Sequence, residues 1–99
     1  MQVTPEIRVT EKTKTKLEPL YRIIIHNDNV TPMDFVVNVL TSIFVLSQPG
    51  ALEVMLIAHY KGAAYVQTLP KTEALKRINK AHFAAGLDGY PLHFSVEPE

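Results

Sequence analysis

A polar corner between an extended segment and an amphipathic segment constrains the fold of this chain most strongly. The corner is Asn27-Asp28-Asn29. Residues 21–26 before it are rich in β-branched side chains, which predicts a strand. After it, apolar residues between positions 35 and 44 recur at spacings of three and four, which predicts a helix. The chain therefore turns from strand to helix at a point crowded with hydrogen-bond acceptors.

Helix-start and helix-stop residues mark the next elements. Thr31 is predicted to be the N-cap of the first helix, with Pro32 at its first helical position. Pro49 is predicted to lie near the start of a second helix that Gly62 ends. Two helices in succession are therefore expected after the first strand.

The second half of the chain predicts a strand, a helix and another strand. Residues 63–68 form the predicted strand, and residues 71–85 form the predicted helix, which Gly86 ends. Leu75 is predicted to face the core and Arg77 to face water. Apolar and polar residues alternate after position 91, which predicts a half-buried last strand. The order β-α-α-β-α-β is typical of an α+β sandwich.

Residues 1–18 differ in composition from the rest of the chain. Thr, Lys and Glu dominate, and the apolar residues are scattered. We predict a flexible N-terminal extension over 1–18 and one core domain over 19–99, and the extension is either a frayed terminus or a tail that another protein grips.

Composition argues against several classes of protein. The chain has no cysteine, which excludes a disulfide framework, a thiol nucleophile and a thiolate metal site. Ten basic and ten acidic residues cancel, whereas nucleic-acid binders usually show a basic excess. No apolar run approaches the roughly 18 residues that span a bilayer, and the start MQVTPEIRVTEKTKTK lacks the apolar core of a signal peptide. We therefore expect neither nucleic acid nor membrane as a partner.

Candidate catalytic and metal-binding residues match no known pattern. The chain contains no Gly-rich phosphate loop, HExxH motif or GxSxG motif. Asp28 and His59 could form an acid–base pair in a small hydrolase, but no nucleophile accompanies them. The spacing of the histidines and Asp28 matches no metal-ligand set. We therefore expect no enzyme activity, catalytic residue, metal or cofactor.

Met55 and His59 lie four residues apart on the second predicted helix and therefore share a face. Alone, they are typical of a core methionine and a hydrogen-bonded core histidine. Together with Met33 and the polar corner, they favour an apolar pocket rimmed by Asn, Asp and a neutral imidazole. Such a pocket suits a primary ammonium beside an apolar side chain, because an ammonium has three donors and no acceptor.

Two linked motifs in this chain resemble the ClpS family, the N-degron adaptors of bacterial and plastid Clp AAA+ proteases. The motifs are HNDNVTPMDFVVNVL and VMLIAHYKG, and the similarity extends over about residues 19–97. The resemblance implies a three-stranded antiparallel sheet packed on three helices. It also implies a non-catalytic adaptor that binds proteins beginning with Leu, Phe, Tyr or Trp and hands them to the unfoldase.

The resemblance further implies roles for individual residues. Asn27, Asn29 and His59 are expected to hold the substrate α-amino group, with Asp28 beside them. The residues expected to line the side-chain pocket are Ile25, Thr31, Met33, Val36, Met55, Ala58 and Leu92.

The implied docking patch for a ClpA- or ClpC-type unfoldase lies on the third helix, at Thr72, Glu73 and Arg77. The N-terminal arm is implied to engage the unfoldase pore. We expect a monomer, in the bacterial cytoplasm rather than the plastid stroma.

Several positions depart from the family pattern. Asn29 stands where Asp is usual and predicts weaker amine capture, because charge-assisted hydrogen bonds are roughly twice as strong as neutral ones. Ala58 replaces a larger residue, often Val, and predicts a wider pocket that favours bulky first residues over Leu. His26 replaces an aliphatic residue, and Thr72 replaces the usual Glu of the docking patch. The alternatives are a paralogue of altered specificity and a domain like the C-terminal domain of the ribosomal stalk.

Overall fold

A computed structural model describes residues 18–99 of the protein. Of the predicted N-terminal extension, residues 1–17 lie outside the described part of the chain. The strands are β1 (Leu20–His26), β2 (Ala63–Pro70) and β3 (His93–Pro98), and the helices are α1 (Met33–Ser42), α2 (Gln48–Lys61) and α3 (Lys71–Leu87). The order β-α-α-β-α-β confirms the predicted sequence of elements.

Strand β1 lies at the centre of an antiparallel sheet whose order over the described residues is β2-β1-β3. Ile25 is opposite Ala64 on one side and Phe94 on the other. The register against β2 shifts between Ile23 and Ile24, which is typical of a β-bulge. The sheet therefore holds the C-terminal end of β1, where the polar corner starts, between two neighbouring strands.

One face of the sheet packs against the helices. Ile23 and Ile25 of β1 are fully buried, whereas Arg22 is exposed on the opposite face. The rings of Phe44 and Phe94 stack with centroids 4.7 Å apart and join the segment after α1 to β3. Side chains from all three helices enter one apolar core with these strands, which confirms the α+β class.

The ends of α1 and α2 follow the sequence prediction in part. Pro32, not Thr31, is the N-cap of α1, and it makes no side-chain capping bond. Thr31 fails as a cap because its hydroxyl donates to Asp28 instead. Helix α2 begins after Ser47, whose side chain accepts a hydrogen bond from the Gly50 N–H. Gly62 ends α2 as predicted, with φ +94° and its N–H on the Ala58 carbonyl, 2.8 Å away.

The prediction that Gly86 ends α3 is wrong, because the helix continues to Leu87. Gly89 adopts φ +72°, and its N–H donates to the Gly86 carbonyl at 3.1 Å. Tyr90 donates to the Ala85 carbonyl at 2.9 Å, which completes a Schellman ending one turn later than predicted. The left-handed residue that ends this helix is therefore the second glycine of the pair.

Two predicted orientations on α3 are also wrong. Leu75 is 39% exposed and does not join the core. Arg77 does not simply face water, because its guanidinium donates to the Phe44 carbonyl and to Gln67 Oε1, at 3.3 and 3.2 Å. The long side chain reaches a carbonyl left open after α1, a partner that helical periodicity does not reveal.

Candidate functional site

The polar corner is held in place by backbone contacts. The Asn27 N–H donates to the Gly62 carbonyl at 2.9 Å, which joins the end of β1 to the end of α2. Gly62 takes its left-handed conformation at this same point. Helix α2 is therefore positioned so that its last turn, with His59, lies beside Asn27 at the rim of one cavity.

Asp28 holds the loop that follows. Its Oδ1 accepts from the N–H groups of Val30 and Thr31, at 2.8 and 2.6 Å, and its Oδ2 accepts from the Thr31 hydroxyl at 2.9 Å. Partial burial opposes ionisation, but these hydrogen bonds outweigh it and hold the pKa of the Asp28 carboxyl below its ordinary value. The carboxylate is therefore a fixed negative charge that shapes the loop between β1 and α1.

A cavity of about 310 Å³ opens between this loop and the helices α1 and α2. Such a volume is at the lower end of small-ligand pockets, roughly 300–1,000 Å³. Its deeper wall is apolar and buried, and consists of Ile25, Val36, Met55, Ala58 and Leu92. The cavity can therefore take one apolar side chain out of water.

The mouth of the cavity is polar and exposed. Asn27, Asn29 and His59 are exposed there, and among residues 18–99 their side chains form no hydrogen bond with another residue. Met33 stands at the same mouth and is 45% exposed. The acceptors of the corner therefore face water and are open to a ligand.

Every residue predicted for the amine site and the side-chain pocket lines this cavity. The structure adds His26, Val30 and Pro32 to the lining. Val30 and Pro32 belong to the same run as the predicted residues, so the sequence did carry a signal for them. The resemblance assigned roles to Asn29 and Thr31 but none to Val30 and Pro32.

His26 reaches the site from the end of β1. Its Nε2 lies 2.7 Å from the Ser95 hydroxyl, and its ring centroid lies 5.2 Å from that of His93. His93 in turn stacks on His82 of α3, with centroids 5.5 Å apart. His26 therefore brings a polar ring to the cavity lining, where an aliphatic residue would have made only apolar contacts.

The predicted docking residues lie apart from the cavity, at the start of α3. Glu73 and Arg77 form an ion pair of 2.9 Å. The Thr72 N–H donates to Glu18 Oε1 at 3.1 Å, and the Lys71 N–H donates to the Pro19 carbonyl at 3.0 Å. The point where the N-terminal extension meets the core is therefore joined to the same turn of α3.

Within the described part of the chain, no group of three or more His, Cys, Asp or Glu side chains is arranged to hold a metal ion. Over the same residues, no helix is both long and apolar enough to cross a membrane.

A family model described as "ATP-dependent Clp protease adaptor protein ClpS" matches residues 16–95 of the chain. The chain belongs to the ClpS family. One relative is the ATP-dependent Clp protease adapter protein ClpS 2 of Mesorhizobium japonicum, 38% identical over 98 residues, which are 99% of this chain and 97% of that protein. The ClpS adapter of Myxococcus xanthus is 39% identical over 88 residues, 89% of this chain and 82% of that protein.

A solved ClpS structure shares the fold. It is Agrobacterium tumefaciens ClpS2 bound to L-phenylalaninamide, and it is 34% identical to this chain. The TM-score is 0.79, with 83% of this chain and 99% of the other covered. L-phenylalaninamide, the ligand of that ClpS2, has a primary amine beside a benzyl side chain.

Proposed function

We propose that this chain is an N-degron adaptor. It binds proteins through a free α-amino group followed by a bulky apolar or aromatic side chain, and it delivers them to a Clp AAA+ unfoldase for proteolysis. The observation that carries the proposal is the cavity, whose apolar wall ends at a mouth of exposed Asn27, Asn29 and His59. Relatives named as Clp protease adapters and the ClpS2 bound to L-phenylalaninamide support it.

The amine is held by acceptors at the mouth. The amide oxygens of Asn27 and Asn29 and an imidazole nitrogen of His59 accept from the three N–H groups of the ammonium. The neutral imidazole of His59 presents one lone pair for this contact. Asp28 contributes its charge and the shape of the loop, since both of its oxygens already accept hydrogen bonds from Val30 and Thr31.

The first side chain enters the pocket between α1 and α2. Thr31 and Met33 stand near the entrance, and the buried wall ends at Ala58 and Leu92. Burying one Leu or Phe side chain contributes roughly 1.5–3 kcal/mol. The apolar wall therefore supplies affinity, and the amine site restricts binding to the beginning of a chain.

Delivery uses other parts of the molecule. The unfoldase, of ClpA or ClpC type, docks at Thr72, Glu73 and Arg77, while the N-terminal arm reaches its pore. The adaptor acts as a monomer in the bacterial cytoplasm and catalyses no reaction itself. Relatives named as ATP-dependent Clp protease adapters support a Clp protease partner.

Fluorescence anisotropy with peptides that differ only in the first residue tests the proposal. A Phe-first peptide is expected to bind, and its N-acetylated form to bind at least roughly tenfold more weakly, because a lost hydrogen bond leaves an acceptor unpaired at about 1–3 kcal/mol. His59→Ala should reduce the difference, because one of the three acceptors is removed. Lys61→Ala, on an exposed residue of the same helix outside the cavity, is the matched control. Equal binding of free and acetylated peptides contradicts the proposed function.

A further inference from the structure

A second cavity lies beside the first, between α1 and α2. Its volume is about 470 Å³, and Met33 and Met55 belong to the walls of both cavities. Val37 and Leu52 complete its apolar surface. The two cavities are therefore neighbours that share these methionine side chains as a common wall.

The periodicity of an extended peptide determines which residue can reach the second cavity. Side chains alternate between the two faces of an extended chain, and residues two apart lie about 7 Å from each other on the same face. If the first side chain points into the first cavity, the second points away from the protein. If the peptide runs over Met33 and Met55, the third side chain points back toward the protein about 7 Å along, at the second cavity.

The second cavity also has a charged rim. Asp34 lines it and is exposed, and among residues 18–99 it forms no ion pair. Its Oδ1 accepts only from the neighbouring Phe35 N–H, at 2.9 Å. Asn38 and Gln48 add neutral polar groups to the same rim. An apolar surface that ends at a carboxylate suits a side chain with an aliphatic stem and a positive tip.

We propose that this second cavity is a subsite for the third residue of the bound N-terminal segment, and that Asp34 makes it prefer Arg or Lys over an acidic residue. The inference rests on the proposed function, since the first residue must occupy the first cavity. It adds a specificity-determining residue, Asp34, that contacts neither the amine nor the first side chain.

Peptides that begin Phe-Ala-X, with X as Arg, Gly or Glu, test the subsite by fluorescence anisotropy at low salt. Arg at the third position is expected to bind about tenfold more tightly than Glu, because the Asp34 carboxylate attracts the first and repels the second. Peptides with the same residues at position two and Ala at position three should differ less than about twofold, because that side chain points to water.

Asp34→Asn is expected to reduce the Arg-to-Glu affinity ratio to about two. Asp88→Asn removes the same charge at the exposed end of α3, an element that does not line the second cavity, and should leave the ratio unchanged. The proposed subsite is wrong if the Arg-to-Glu affinity ratio is the same at positions two and three of the peptide. It is also wrong if Asp34→Asn and Asp88→Asn change that ratio equally.

Failure of the subsite can be distinguished from failure of the proposed function. If Phe-Ala-Gly peptides bind and lose affinity on acetylation, but the third residue has no effect, only the subsite is wrong. If no Phe-first peptide binds, or acetylation has no effect, the adaptor function itself is wrong.

Discussion

The carboxylate of Asp28 is occupied by its own loop. The sequence placed Asp28 beside the amine site, and the residue does line the cavity. Its oxygens, however, accept from Val30 and Thr31, two and three positions further on. Asp commonly bonds the backbone that follows it in this way, so the local sequence carried the signal. The choice between binding a ligand and holding the loop depends on the path of the loop, which the structure reveals.

Replacing the side-chain amide of Asn29 with the carboxylate of Asp tests whether this side chain contacts the substrate amine. We expect Asn29→Asp to bind a Phe-first peptide about fivefold more tightly, because a charge-assisted bond replaces a neutral one at the exposed mouth. Anisotropy titration measures the change. Asn79→Asp, on an exposed residue of α3, controls for the added charge alone. Unchanged affinity of the Asn29 variant would show that this side chain does not contact the amine.

Enlarging Ala58 tests the width of the pocket. Ala58 is 4% exposed and lines the cavity, so Ala58→Val adds two methyl groups to its wall. We expect the preference for Trp-first over Leu-first peptides to fall about tenfold, since overpacking typically costs about 1–3 kcal/mol. Ala84→Val, on α3 outside the cavity, is the control. The same preference in both variants contradicts the assignment of Ala58 to the wall.

The ends of α2 and α3 show how far the position of a glycine in the sequence predicts where a helix ends. Gly62 ends α2 as predicted, because it is the one glycine that follows the periodic residues of that helix. At the end of α3, Gly86 and Gly89 lie three residues apart, and either can adopt the left-handed conformation. Gly89 takes it, and Tyr90 then packs edge-to-face on Phe35 of α1, with centroids 4.9 Å apart. A tertiary contact therefore accompanies the later ending.

The segment directly after α1 contains a residue with strained backbone. Val45 has φ +59° and is 69% exposed, so a β-branched residue occupies a left-handed position without burying its side chain. Left-handed backbone costs such a residue roughly 1–2 kcal/mol in the folded state, and glycine removes this cost. Glycine also makes folding less favourable by about 0.5–1 kcal/mol, because its backbone loses more conformational entropy on folding. We therefore expect Val45→Gly to raise the free energy of unfolding by about 0.5–1 kcal/mol in urea titration.

Gly62 provides the converse of that experiment. A Cβ at Gly62 meets no atom within 4 Å, so Gly62→Ala changes only the backbone preference at φ +94°. We expect the free energy of unfolding of this variant, measured by urea titration, to fall by about 1–2 kcal/mol. Equal effects of the Val45 and Gly62 variants would contradict the argument from backbone conformation.

Across the whole molecule, His82 joins α3 to the outer edge of β3. Its Nε2 accepts from the Phe94 N–H at 3.0 Å, so the folded state requires a neutral acceptor there. Burial of the ring, together with the neighbouring His93, lowers the pKa of His82 from its ordinary value of 6.5. Below pH 6.5 the unfolded chain therefore binds a proton that the folded chain does not.

Stability should accordingly fall as the pH falls from 6.5 toward the lower pKa of folded His82, and this contribution is fully present above pH 6.5. His82→Gln keeps an acceptor for Phe94 but does not titrate. We expect the variant to show a smaller loss of unfolding free energy between about pH 7.5 and 5.5 in urea titrations. An identical pH slope in the two proteins would exclude His82 as the source.

Local pattern was sufficient for the type and order of the elements of this chain, because hydrophobic periodicity acts within a few positions. It was also sufficient to bring Asn27 and His59 together as site candidates, since both belong to motifs. Contacts between residues distant in sequence depend on the tertiary structure and could not be predicted from local pattern. Arg77 finds the Phe44 carbonyl and Gln67 across the core, and His82 covers the edge of β3. The second cavity exists only where α1 packs on α2, because no segment forms a groove alone.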